Sequence, residues 1–171
     1  ASGARGFVGG GDGNTASGYR ASVVGGFANI ACGACSTIGG GICNNASGGS
    51  SKVGGGRQNT TSGYAGVISG GYEGLNNQDY AFIGGGSYNS VCHNLGATCA
   101  LGATVGGGAG NNTTGGTFSN YFSVVPTRVN AGRFSTIGGG FQNRATGLIS
   151  VVAGGQANIA SNTRTTVGGG I

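Results

Sequence analysis

The stretch Ser36-Thr37-Ile38-Gly39-Gly40-Gly41-Ile42-Cys43-Asn44-Asn45-Ala46-Ser47-Gly48 decides the fold. It returns nearly intact at Ser135-Thr136-Ile137-Gly138-Gly139-Gly140-Phe141-Gln142-Asn143-Arg144-Ala145-Thr146-Gly147. Worked outward from these copies, the unit S-T-[IV]-G-G-G-x-x-N-x-A-S-G-x-x fills most of the chain. Asn14, Asn29, Asn44, Asn59, Asn89, Asn111, Asn143 and Asn158 share one context, on a period of 15 residues lengthened only by inserts. Six residues before each stands a β-branched residue: Val8, Val23, Ile38, Val53, Ile83, Val105, Ile137 and Val152, with Ile68 and Val167 at the same phase. Glycine follows each of these at the second and third positions: Gly10/Gly11, Gly25/Gly26, Gly40/Gly41, Gly55/Gly56, Gly70/Gly71, Gly85/Gly86, Gly107/Gly108, Gly139/Gly140, Gly154/Gly155 and Gly169/Gly170.

Within the unit the side chains alternate with period two. Ser36, Ile38 and Gly40 fall on one side and Thr37 and Gly39 on the other, as a short strand requires. A second strand is expected past the asparagine, where Ala16, Ala31, Ala46, Ala145 and Ala160 hold one phase and face the β-branched row. Helix is excluded by the glycine runs, each glycine costing about 1 kcal/mol relative to alanine in a helix interior. Two short strands and tight turns every 15 residues describe a coil of a parallel β-solenoid. Stacked at about 4.8 Å, such coils form a rod on the order of 50 Å long, and the asparagines form a ladder of amides bonded from coil to coil. The whole chain, residues 1–171, is expected to be one all-β domain.

Composition agrees. Of 171 residues 44 are glycine, about one in four against a typical 7%. Collagen is excluded, because the chain has one proline, Pro126, and its glycines come in runs. Leu, Ile, Val and Phe total only 33, so a bulky core cannot form, and stability has to come from regular backbone bonding and close packing of small side chains. The net charge of +5 is spread, with no two basic residues adjacent, so nucleic acid is not an expected partner. No run of 18 apolar residues is present and no membrane span is expected.

Each glycine pair has two physical explanations. Either the backbone turns there with φ > 0, or a second backbone comes too close for a Cβ. Two adjacent glycines kept in every coil favour contact with another chain, with Gly10, Gly11, Gly25, Gly26, Gly40, Gly41, Gly55, Gly56, Gly85, Gly86, Gly139 and Gly140 as the contact residues.

The repeat resembles the heads of trimeric autotransporter adhesins, the YadA-like heads, and related phage and virus fibre repeats, through S-x-[AV]-x-G followed by x-x-x-A-x-G. The resemblance implies a left-handed parallel β-roll, three chains side by side, and attachment to a surface. Val8, Ile38, Val53, Ile83 and Ile137 take the family's apolar strand position, and Ala16, Ala46 and Ala145 its small one. The G-G-G run departs from the family, where alanine and a β-branched residue commonly precede a single glycine; a tighter, glycine-lined contact is expected here.

Two inserts interrupt the period, near residues 90–104 and 116–132. The first carries Cys92 and Cys99, expected to close it as a disulfide. The second carries Phe118, Tyr121, Phe122 and Arg128, residue types that recognition loops favour, and is the expected binding loop. Its alternative role is to fold back over an apolar edge of the roll. Cys32, Cys35 and Cys43 favour a disulfide using two of the three over a zinc half-site that lacks a second half; no metal or other cofactor is expected.

Catalysis is not expected. His93 is the one histidine, Asp12, Glu73 and Asp79 the only acids, and no spacing among them defines a triad or a carboxylate pair. Gly9-Gly10-Gly11-Asp12-Gly13 resembles one turn of a calcium-binding repeat, but its aspartate does not recur, and no G-K-[ST] follows any glycine run. An ice-binding face needs a regular threonine array, and the outward row reads Ser22, Thr37, Lys52, Val67, Phe82, Thr104, Thr136, Val151, Thr166. Asn45, Asn59, Asn111 and Asn112 open glycosylation sequons. Neither chain end carries a proline, charge cluster or helix to blunt its strand edges, so a longer array or head-to-tail stacking is expected. The expected function is a non-enzymatic extracellular fibre or adhesin module on a cell or virion surface, a homo-oligomer meeting host cells or matrix; the alternative is a filament subunit that recognises only its own copies.

Overall fold

The computed structural model describes residues 1–91, 101–113, 117–118, 124–125 and 132–171. They form a parallel β-solenoid of stacked coils, with no helix among the described residues. One face is a ten-stranded sheet in chain order, Phe7–Val8, Ser22–Val23, Thr37–Ile38, Lys52–Val53, Val67–Ile68, Phe82–Ile83, Thr104–Val105, Thr136–Ile137, Val151–Val152 and Thr166–Val167. The second face stacks Thr15–Ala16, Ile30–Ala31, Asn45–Ala46, Thr60–Thr61, Leu75–Asn76 and Ser90–Val91, and bridges through Asn112 lead on to Arg144–Ala145 and Ile159–Ala160. A third ladder, which the two-strand expectation lacked, runs as single bridges from Asp12 through Phe27, Ile42, Arg57, Tyr72, Ser87, Ala109 and Phe141 to Gln156.

Register is kept across both inserts. Phe82 pairs with Thr104 and Thr104 with Thr136, so the phase of the stack is the same on either side of each insert. Within the second insert Thr117–Phe118 and Val124–Val125 pair antiparallel. Phe118 thus has its backbone in a strand, while Tyr121, Phe122 and Arg128 lie outside the described residues, as do Cys92, Cys99 and His93.

Small side chains fill the narrow core. Val23, Ile38, Val53, Ile68, Ile83, Val105, Ile137 and Val152 are buried on one side, and Ala16, Ala31, Ala46, Ala145 and Ala160 opposite them. Between Val53 and Ile68 the apolar core divides in two. Here the alanine row becomes Thr61 and Asn76, and Gly66 opposite supplies the space, since a Cβ on Gly66 would lie 2.7 Å from the Thr61 hydroxyl oxygen and 3.3 Å from Asn76 Nδ2. Asn76 is satisfied inside the coil, donating to Val67 O at 3.2 Å and Ala81 O at 2.8 Å.

Two corners per coil turn through left-handed backbone on residues that are mostly not glycine. Arg20, Cys35, Ser50, Ala65, Tyr80, Phe134, Ile149 and Arg164 hold φ of +51° to +57° at one corner, and Ala28, Cys43, Gln58, Glu73, Tyr88, Gln142 and Ala157 hold +51° to +57° at the other. Such a conformation costs an L-residue about 1–2 kcal/mol. In return it reverses the N–H: strand amides donate toward the next coil, as Phe7 does to Ala21 O at 2.9 Å, whereas the corner amides donate backward, Cys35 to Tyr19 O at 2.7 Å and Cys43 to Phe27 O at 2.9 Å. A corner residue is thereby held against the residue 16 positions earlier.

Candidate association surface

The asparagine ladder fixes the glycine pairs. Asn44 Nδ2 donates to Asn29 Oδ1 at 3.0 Å, to Gly40 O at 3.0 Å and to Gly56 O at 2.9 Å, and its Oδ1 accepts from Asn59 N at 3.0 Å and Asn59 Nδ2 at 3.1 Å. The same three donations repeat at Asn29 and Asn59, and all three asparagines are buried. Each amide draws inward the carbonyl of the first glycine in its own coil and of the second glycine in the next. The ladder lapses at Gly74, whose N–H alone reaches Asn59 Oδ1, at 2.9 Å.

The two glycines of a pair differ in where a Cβ would point. At Gly41, with φ +90°, it would land on the Gly56 carbonyl and 2.7 Å from Asn44 Nδ2; Gly11, Gly26, Gly56, Gly86 and Gly140 meet the next coil in the same way. That row has a complete internal cause, the contact each of these glycines makes with the next coil. Around Gly10, Gly25 and Gly139 a Cβ would meet nothing within 4 Å, and Gly40, Gly55 and Gly85 have only a carbonyl oxygen at 3.9–4.0 Å. Gly10, Gly25, Gly55 and Gly139 are also outside the positive-φ region. At these four positions neither conformation nor packing within the chain asks for glycine, whereas Gly40 and Gly85 hold φ of +158° and +147°, a backbone that itself favours glycine.

The ribbon is also chemically open. Gly39 N–H donates to Val53 O at 2.9 Å and Ile42 N–H to Gly56 O at 2.9 Å, but the described residues supply no acceptor for the N–H groups of Gly40 and Gly41 or of the equivalent pairs. Two free donors per coil therefore line a flat backbone strip, bordered by exposed Val24, Phe27 and Ile42.

The remaining sequence candidates are placed as follows. Cys32, Cys35 and Cys43 are exposed free thiols, which corrects the expected disulfide: Cys35 and Cys43 occupy opposite corners of the coil, and Cys32 follows the second strand. The sequons at Asn59, Asn111 and Asn112 are sealed by burial, and Asn59 spends its amide on the ladder. Among the described residues no three of His, Cys, Asp and Glu come together, and no helix is long and apolar enough to cross a membrane. Four tyrosines, Tyr64 with Tyr80 and Tyr72 with Tyr88, meet edge to face across neighbouring coils. The 16-residue separation in both pairs, one coil plus one, was the signal for them. No family model matches the sequence, and no curated protein matches it.

Proposed function

We propose that this chain is a non-enzymatic extracellular fibre or adhesin module, a repetitive β-roll of the kind found in YadA-like heads, whose copies associate along the first-glycine row. The observation that carries this is the open row itself. At Gly10, Gly25, Gly55 and Gly139 a glycine outside the positive-φ region, with space for a side chain and free N–H groups beside it, is accounted for by a backbone from outside the chain. A second copy supplies carbonyl acceptors at the matching coil spacing, and three copies side by side is the arrangement the family resemblance favours. Val24, Phe27 and Ile42 give that contact an apolar margin. The insert at residues 116–132, with Phe118, Tyr121, Phe122 and Arg128, is the proposed contact loop for host cells or matrix.

Sedimentation velocity over a range of concentrations tests the association, with trimers expected and a monomer at every concentration the opposing result. Deleting residues 116–132 tests attachment. An adhesin loses binding to cells or matrix while the oligomer persists; undiminished binding removes the loop from the proposal.

A further inference from the structure

We propose that the pairs Tyr64–Tyr80 and Tyr72–Tyr88 are sites of oxidative dityrosine cross-linking, each stapling one coil to the next. The corner geometry creates both pairs. Tyr80 N–H donates to Tyr64 O at 2.9 Å and Tyr88 N–H to Tyr72 O at 2.9 Å, so left-handed corner residues at φ +56° and +55° are clamped beside their partners in the preceding coil. Ring centroids are 5.7 Å apart for Tyr64–Tyr80 and 5.2 Å for Tyr72–Tyr88, with interplanar angles of 75° and 90°. Four of the six tyrosines in the chain are committed to these two contacts, on opposite corners of the solenoid.

The rings are reachable by an oxidant. Tyr64 is 51% and Tyr80 63% exposed, and Tyr72 and Tyr88 are half-buried. The second pair also has a proton acceptor. Tyr72 hydrogen-bonds the Glu73 carboxylate and the Tyr88 side chain, which together push its phenol up to about 12. The phenol therefore stays protonated at neutral pH, with a carboxylate positioned to take its proton as an electron leaves.

The chemistry balances with hydrogen peroxide and a haem peroxidase as the oxidant. Each phenol of a pair loses one electron and one proton, and the two phenoxyl radicals form a carbon–carbon bond between positions ortho to their oxygens. The hydrogens on those carbons then move to the oxygens and restore both phenols. The pair has lost two hydrogen atoms, and one peroxide becomes two waters. From edge-to-face contact one ring of each pair has to turn and close on the other so that the two ortho carbons meet, a movement open to side chains that are at least partly exposed.

The experiment treats dilute chain with hydrogen peroxide and horseradish peroxidase, reads dityrosine fluorescence, and maps linked peptides by mass. Two links within one chain are expected, Tyr64 to Tyr80 and Tyr72 to Tyr88, each with the mass of two hydrogens lost. Tyr80→Phe removes the first and Tyr88→Phe the second, each lowering the yield by about half, and the double variant, folded by circular dichroism, forms none. Glu73→Gln slows the second link several-fold and leaves the first unchanged. Wild-type yield in the double variant, tyrosine consumption without a link inside either pair, or links only between chains would overturn the proposal. It stands apart from the association proposed above, since it is read within single chains.

Discussion

The two glycines of each pair are neighbours in sequence and answer to different surroundings. Gly41 faces along the rod, where the next coil's carbonyl and the Asn44 amide leave no room for a methyl group. Gly40 faces away from the rod, where space and free N–H groups remain. At Gly10, Gly25, Gly55 and Gly139 the first row is spare to the fold, and the second row is indispensable to it. The second row therefore answers to a constraint within the chain, and the proposed association is what would constrain the first.

The largest effect is expected at the inner row. Gly41→Ala places a methyl on the Gly56 carbonyl and a non-glycine residue at φ +90°, and the coil spacing is locked by ladders on every side. A loss of more than about 3 kcal/mol, or of cooperative unfolding altogether, is expected from urea denaturation. Less than about 1 kcal/mol would mean that the coils can part to admit a side chain.

Asn44→Ala tests what ties the two rows together. It strips an amide that donates to Asn29 Oδ1, Gly40 O and Gly56 O and accepts twice from Asn59. Because these groups are buried, a cost of about 2–4 kcal/mol is expected, read as a lower urea midpoint. Smaller and opposite in sign, Gly74→Asn fills the one lapse in the ladder between Asn59 and Asn89. It should add about 1 kcal/mol and raise the thermal midpoint. A lower midpoint would mean that the added Cβ, 2.9 Å from Asn59 Oδ1 and 3.5 Å and 3.7 Å from the Ile68 methyl carbons, does not find room there.

Much of this was legible in the sequence. Period two around Ile38 and the 15-residue recurrence of asparagine suffice for parallel strands, an inward β-branched row and an amide ladder, because stacking turns every conserved phase into a contact. The corners were not legible. Arg20, Cys35, Tyr80, Phe134 and Ile149 share no chemistry, since the left-handed backbone there is imposed by bonds to the coil before and not by residue preference. The division of labour within the glycine pair was equally hidden, because spacing along a chain does not tell which way an absent Cβ would point. The expected disulfide using two of Cys32, Cys35 and Cys43 failed on the same ground, since spacing did not tell that Cys35 and Cys43 lie at different corners.

The most direct measurement is made on the outer row. Gly25→Val with Gly55→Val adds side chains where a Cβ meets nothing within 4 Å at Gly25 and only the Gly40 carbonyl oxygen, at 4.0 Å, at Gly55. The β-sheet circular dichroism and urea midpoint should hold, the midpoint within about 1 kcal/mol, because β-branched residues suit extended backbone. Sedimentation velocity should show the oligomer of the unaltered chain reduced to monomer. A folded double variant that sediments as the unaltered chain does would contradict an outward role for the row and leave the glycines without a partner to explain them.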